Sequence, residues 1–478
     1  MNYSIIRYIL SCVLEFEALF MTLPCIVALI YREKQGFSFA VVVAACLLIG
    51  EIGRRIKPKS KVFYAKEGFV TVSLSWILLS LVGAIPFVLN GEIPNYLDAV
   101  FEVASGLTTT GASISPDMAV FSKCGMFWRI FTHWIGGMGV LVLILAILPL
   151  SGSYNMHIMR AESPGPSVGK LVPKVRSTAA ILYEIYLVIT CLEVIALLMT
   201  GLPFYDSLLL SFSTAGTGGF GLLNDSLASY SYASQTVITV FMILFGVNFS
   251  AYFFIIRRNF KDFFKNEEVR WYLIIIAISA ILITWNIRGT FGSLGNDFHQ
   301  AILQVATIIT TTGFSSADFN IWPEFSKTIL YLLMLIGACA GSTGGGFKVS
   351  RVLVMIKSVK NEITTAMHPR SVKKIHMDGK IVPDNVVRSI RIYLIIYVLI
   401  YLSSFLIVSL DGYDFTTNFT AVAACLNNIG PGLSLVGPTG NYAFFSGLSK
   451  VVLIFNMLAG RLELLPILML FHVKTWKE

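Results

Sequence analysis

Hydrophobic residues gather in this chain into blocks near 4–30, 37–53, 68–90, 126–149, 177–200, 234–256, 270–287, 388–410 and 447–472. A helix needs about 17–25 mostly apolar residues to cross a bilayer, and each block meets that length. A tenth block, from about 326 to 358, is interrupted. Between the later blocks lie four shorter apolar stretches, too short to span: DAVFEVASGLTTTGAS (98–113), DSLLLSFSTAGTGGFG (206–221), QAILQVATIITTTGFS (300–315) and NFTAVAACLNNIGPGL (418–433). Each reads as a short re-entrant helix that ends at a glycine, namely Gly111, Gly218, Gly313 and Gly430. The unit of outer span, re-entrant helix and inner span therefore occurs four times. The expected fold is an all-α polytopic membrane protein with about ten transmembrane spans. It has an N-terminal helical hairpin (1–60) and four outer helix–pore helix–inner helix repeats with pseudo-fourfold symmetry, at 61–153, 154–265, 266–375 and 376–478.

Composition agrees with a membrane chain. Of the 478 residues 55% are hydrophobic and 13% charged, with a mean hydropathy of +0.75; soluble domains carry about 25% charged residues. The first block is too long for a signal-peptide core, lacks a small-residue cleavage site and contains Glu15 and Glu17, so it reads as a retained helix. The net charge of +9 does not point to nucleic acid, because the basic residues flank spans. Arg54, Arg55, Lys57, Lys59 and Lys61 follow the second span, and Arg160, Lys170, Lys174 and Arg176 precede the fifth. Arg257, Arg258, Lys261 and Lys265 follow the sixth, and Lys357, Lys360, Arg370, Lys373, Lys374 and Lys380 lie between the eighth and ninth. By the positive-inside rule these loops and both termini are cytoplasmic, and the threonine-rich segments face outward. The seven cysteines are scattered without paired spacing, which suggests buried thiols.

Irregular backbone is tolerated at membrane depth only where it lines a cavity or is buried in protein. A re-entrant helix aims the negative end of its dipole at the membrane centre. The extended residues after it can turn their carbonyl oxygens toward an axis, and four such segments make oxygen rings that replace a cation's hydration shell. Glycine permits the backbone angles and the close approach, and threonine adds a hydroxyl at the inner end. The candidate ion-binding residues are Thr109, Thr110 and Gly111; Gly216, Thr217 and Gly218; Thr311, Thr312 and Gly313; and Asn428, Ile429 and Gly430. Thr and Gly also serve plain helix packing in membranes, but four copies at one place in a repeat favour the filter. Repeat two departs from the pattern through Gly216, and repeat four offers an amide and an aliphatic, an unevenness that predicts blunter discrimination.

SGLTTTGA (105–112), HWIGGMGVLVL (133–143), AESPGP (161–166), ITTTGF (309–314), NNIGPG (427–432) and GRLELL (460–465) resemble stretches of the Trk/Ktr/HKT superfamily of potassium transporters, most closely its bacterial Trk-type membrane subunit. The similarity covers nearly the whole chain, and the N-terminal hairpin favours the Trk branch. It implies a pseudo-fourfold pore in each protomer, a homodimer in the bacterial cytoplasmic (inner) membrane, and potassium uptake driven by the membrane potential. It also implies control by a cytosolic nucleotide-binding ring on a separate chain. In that superfamily glycine at the filter goes with potassium, so K+ is the expected transported ion, with Rb+ also passing and Na+ weaker. No bound cofactor and no enzymatic activity are implied.

The interruption in the tenth block is GACAGSTGGGFK, 337–348. Each glycine costs about 1 kcal/mol against alanine in a helix, so the stretch reads either as a kink or as a flexible plug under the filter; its order does not match a nucleotide-binding loop. The resemblance favours the plug, with Gly341, Ser342, Thr343, Gly344, Gly345 and Gly346 as gate residues. Arg461 lies inside the last span, where a charge is costly and usually functional. It reads as a barrier on the cation path or as a partner of Glu193, Glu184 or Glu15. The resemblance favours the barrier. Lys348 reads as a possible helix cap, Glu102 as a brace for the first filter segment. His133, His299 and His472 form no ligand pattern.

Three rivals remain on the sequence alone. One is a secondary transporter coupling potassium to sodium or proton movement. Another moves a larger solute through inverted repeats, which parallel repeats disfavour. The third is an intramembrane hydrolase using Ser113 or Ser342, for which no serine–histidine spacing on paired spans speaks.

Overall fold

The computed structural model describes residues 1–58, 64–139, 175–256, 258–369 and 373–476. Outside these lie AESPGP (161–166), the end of HWIGGMGVLVL, the basic residues Lys59, Lys61, Arg160, Lys170, Lys174, Arg257 and Arg370, and the expected repeat bounds at 60 and 153.

The chain is a polytopic helical membrane protein built as the repeat predicts. The hairpin pairs Tyr3–Tyr31 with Gly36–Arg55, and Arg54 bridges Glu15 (3.1 Å) and Glu51 (2.6 Å) at its end. Four outer helices follow, Ala65–Leu89, Val175–Met199, Glu267–Asn286 and Asp384–Val408. Each is apolar on nearly all sides, as a lipid-facing helix must be, and leaves large side chains such as Ile281 and Leu406 exposed. Four pore helices, Tyr96–Leu107, Phe204–Gly216, Leu294–Ile309 and Phe415–Leu426, are short and buried beyond their first turns. Their starts are fixed locally: Asn95, Ser293 and Asp414 accept hydrogen bonds from the first free amides of helices one, three and four.

Among the described residues six helices are long and apolar enough to cross a membrane, the hairpin pair and the four outer helices. The count of about ten spans holds only if each broken inner helix is taken as one span. The inner helices begin at Lys123, Tyr232, Glu324 and Gly447 and stop after 15, 14, 13 and 15 residues. At 1.5 Å per residue that is about 20 Å, short of the hydrocarbon thickness. The second resumes as Phe249–Ile256, the third as Val349–Met367 after the loop 337–348, and the fourth as Leu465–Phe471. The expected continuous runs 234–256 and 447–472 are thus corrected. The second is broken because Gly246 and Phe249 turn their backbones to the loop of repeat three, Gly246 O accepting from Cys339 N (3.1 Å) and Phe249 N donating to Gly341 O (2.9 Å). The fourth is broken by Glu463 and Leu464 at φ 60° and 63°, just before Pro466. Of the cysteines, Cys191 is exposed and Cys25 half-buried, against the expectation of buried thiols; the other five are buried and all seven are unpaired.

Candidate ion pathway

Each pore helix ends in the same backbone device. A residue at the helix end, the cap itself in repeat two and the one after it in the others, stands in the left-handed region, Thr109 (φ 56°), Thr217 (54°), Thr311 (58°) and Asn428 (54°), and two residues on comes a glycine at positive φ, Gly111 (78°), Gly219 (79°), Gly313 (87°) and Gly430 (95°). The residue between them closes the helix by donating its amide to the carbonyl five residues back. Thr110 N bonds Ser105 O (2.8 Å), Gly218 N bonds Ser213 O (2.9 Å), Thr312 N bonds Thr307 O (2.8 Å) and Ile429 N bonds Ala424 O (2.9 Å). This sets the register and corrects one reading: the glycine of repeat two is Gly219, not Gly218, and Gly216 is the last turn of its pore helix. The GTGG run offers two glycines, and only the hydrogen-bond register selects between them. Three of the four left-handed residues are β-branched threonines, a costly conformation that persists only where the surroundings impose it.

The four glycines close a ring. A Cβ added to Gly111 would meet the carbonyl oxygen of Gly218, one on Gly219 that of Thr312, one on Gly313 that of Ile429, and one on Gly430 that of Thr110, the last at 2.7 Å. Each repeat therefore lays a loop carbonyl against the glycine of the repeat before it, in cyclic order. Outward of this ring the segments after all four glycines line a cavity of about 110 Å³. The side chains in the loops mostly turn away from that order. Thr108 bonds Ala104 O (2.6 Å) and Thr110 Oγ1 (2.8 Å); Thr310 does the same with Ala306 O and Thr312 Oγ1 (both 2.7 Å). Asn428, the odd residue of repeat four, gives its amide to Thr110 Oγ1 and Met457 O (both 2.9 Å). The contact of Gly430 with Thr110 O is nonetheless the loosest of the four ring contacts.

Beneath the ring sits the loop 337–348. Gly345 N donates to Thr311 Oγ1 (2.6 Å), and Gly344 lies so close to Thr310 O that an added Cβ would be 2.8 Å away. Thr343 bonds Phe245 O (3.3 Å). Glu268 holds the loop's ends by accepting from Ala340 N (2.7 Å) and Ser350 N (3.0 Å). Lys348 caps the following helix only with its backbone; its buried ammonium turns back into the loop and donates to Gly344 O. Arg461 reaches across from repeat four. It donates to Thr343 O (2.9 Å), to Gly137 O (2.6 Å), to Gly136 O and to Thr109 Oγ1 (3.4 Å). Its guanidinium thus lies among carbonyls of the loop and of inner helix one, within reach of Thr109. Glu15, one of the carboxylates considered as its partner, pairs with Arg54 instead.

The sequence reading missed several residues of this site. Arg129 pairs with Glu102, Tyr442 gives its hydroxyl to Gly430 O (2.7 Å), and His133 Nδ1 meets Gly106 O at 2.8 Å. Arg351 pairs with Glu463 across the two inner-helix breaks. Only Arg129 and Arg351 carried a signal, as charges in or beside apolar blocks.

The TrkH family model, described as cation transport protein, matches residues 35–477. The Trk system potassium uptake proteins TrkH of Salmonella typhimurium and of Escherichia coli are 36% and 35% identical over 470 residues, with 96% of this chain and 96% of each relative covered. The crystal structure of the potassium transporter TrkH from Vibrio parahaemolyticus superposes with a TM-score of 0.89 at 32% identity, over all of both chains.

Proposed function

The chain belongs to the TrkH family of cation transport proteins, and from that premise we propose that it takes up potassium through a selective, gated, channel-like pore. The observation that carries the reading is the closed ring, in which four glycines admit four carbonyls of neighbouring repeats. Such a ring can replace the water around a cation with fixed oxygens. The ion site comprises Thr109, Thr110, Gly111, Thr217, Gly218, Gly219, Thr311, Thr312, Gly313, Asn428, Ile429 and Gly430, with K+ preferred, Rb+ accepted and Na+ weaker. The ring closes least tightly onto repeat four, where an added Cβ on Gly430 would lie 2.7 Å from Thr110 O, so the unevenness of that repeat blunts the discrimination.

The gate is the loop with Gly341, Ser342, Thr343, Gly344, Gly345 and Gly346, held across the path by Arg461. The support is that both reach the inner-end hydroxyls, Gly345 N at Thr311 and Arg461 at Thr109. The wider assembly follows the same reading: repeats bounded at 60, 153, 265 and 375, a homodimer in the bacterial cytoplasmic membrane with both termini inside, and a nucleotide-binding ring on another chain that moves the gate.

The test is radioactive rubidium uptake into liposomes holding the purified protein, driven by an imposed potential and competed with K+ or Na+. Strong competition by K+ and weak by Na+ is expected, and equal competition overturns the selectivity. Uptake driven by a sodium or proton gradient at zero potential would replace the channel-like pore with coupled transport.

A further inference from the structure

We propose that the buried pair Glu102–Arg129 is a specificity-determining brace, which fixes the spacing of the segments after Gly111 and Gly219 and so the preference among monovalent cations. It rests on the filter reading above. Arg129, on inner helix one, is 2% exposed and Glu102, on pore helix one, 1%. Arg129 Nε meets Glu102 Oε1 at 2.6 Å. The carboxylate accepts from Ile114 N (2.7 Å) and Ser113 Oγ (3.0 Å), both just past Gly111. The guanidinium donates to Ser113 Oγ (3.2 Å) on the same segment and to Gly221 O (3.4 Å) on the segment of repeat two. Its carbon lies 3.5 Å from the centre of the Phe220 ring, in the same segment of repeat two. One ion pair therefore holds two neighbouring filter segments at once.

The other repeats show that the fold does not need a charge there. With the ring glycines and the inner-helix starts as register, the corresponding pairs are Leu210 with Ile238, Gln304 with Leu330, and Ala421 with Leu453, all buried. Buried ion pairs pay heavily for desolvation, and apolar residues of similar volume commonly stabilise as well or better. What the pair adds is direction. Its charge-assisted hydrogen bonds fix angles and distances that apolar contacts leave loose. A cation filter depends on the number and placement of its oxygens, so a slack segment lets the ring shrink around a smaller ion.

The experiment uses the full chain in liposomes, with rubidium uptake competed by K+ and Na+ and a thermal unfolding midpoint as fold check. The double variant Glu102→Leu with Arg129→Ile copies repeat two. Its uptake should persist while the ratio of K+ to Na+ competition falls about tenfold, the scale of one lost charge-assisted hydrogen bond. Ser113→Ala removes the serine link and leaves the ion pair, and should lower the ratio about twofold. A folded double variant with the wild-type ratio overturns the brace. If the double variant does not fold, an unchanged ratio in Ser113→Ala overturns it instead. A wild-type protein that does not discriminate between K+ and Na+ defeats the filter reading itself, and that is seen before any variant is made.

Discussion

The four pore loops and the four inner-helix breaks lie back to back on one axis, but they are built by different rules. The loops carry three different sequences at the ring, TTG twice, TGG and NIG, on one repeated backbone. The inner-helix ends share no such device. One ends at Gly137, one turns on Gly246 and Asn248, one opens into a twelve-residue loop, and one passes through Glu463 and Leu464 at positive φ. An ion site made of main-chain oxygens tolerates side-chain drift as long as the glycine remains. The proposed gate, Arg461 and a loop from one repeat, has no fourfold counterpart to copy.

The sharpest way to break this comparison is at the ring. Gly313→Ala keeps the sequence nearly intact but sets a Cβ against Ile429 O at a φ of 87°. A left-handed alanine and an overpacked contact together cost about 3–4 kcal/mol, so rubidium uptake should fall at least about a hundredfold. Ile429→Ala leaves that carbonyl in place and should stay within about threefold of wild type. If the two variants lose uptake equally, side chains matter at the ring as much as backbone, and the distinction fails.

The gate should respond in the opposite direction. Arg461→Ala removes a positive charge that lies 3.4 Å from Thr109 Oγ1, together with its bonds to Thr343 and Gly137. A like charge about 8–16 Å from a cation costs about 1–2 kcal/mol at an effective dielectric of about 20. Uptake should rise about tenfold with the K+ to Na+ ratio unchanged. A rise accompanied by lost selectivity would place Arg461 in the filter and not beneath it.

The same contrast explains how much could be read from the sequence. The pore helices were legible because they combine a short apolar run with a glycine, four times over, and both signals are local. The outer helices were legible from hydropathy alone. The register of repeat two was not, since Gly218 and Gly219 are adjacent and only the bond from Gly218 N to Ser213 O distinguishes them. The breaks in inner helices two and four were hidden inside continuous apolar runs. Weak signals were present: Asn248 caps Ser250 N (2.8 Å) after Gly246, and Pro466 cannot donate to a continuing helix. What made them breaks is tertiary, for the partner of Gly246 and Phe249 is a loop about ninety residues away.

The smallest effect is expected where two breaks are tied to each other. Glu463, at φ 60° in the gap of inner helix four, accepts from Arg351 in the first turn of the helix after the loop. Arg351 also donates to Phe347 O (3.2 Å) and lies 4.0 Å over the Tyr393 ring. The pair thus joins the two elements that supply the gate, Arg461 from one side and the loop from the other, without itself reaching the filter. Glu463→Gln keeps an acceptor of the same shape and removes the charge from a pair whose side chains are 5% and 17% exposed. If the loop and Arg461 move as one unit, a looser tie should raise rubidium uptake about twofold to fivefold, in the same direction as Arg461→Ala and smaller. Uptake at the wild-type level in a folded Glu463→Gln protein, beside a raised level in Arg461→Ala, would mean that the loop and the arginine close the path separately. The asymmetry of the breaks would then reflect two gates in series and not one shared device.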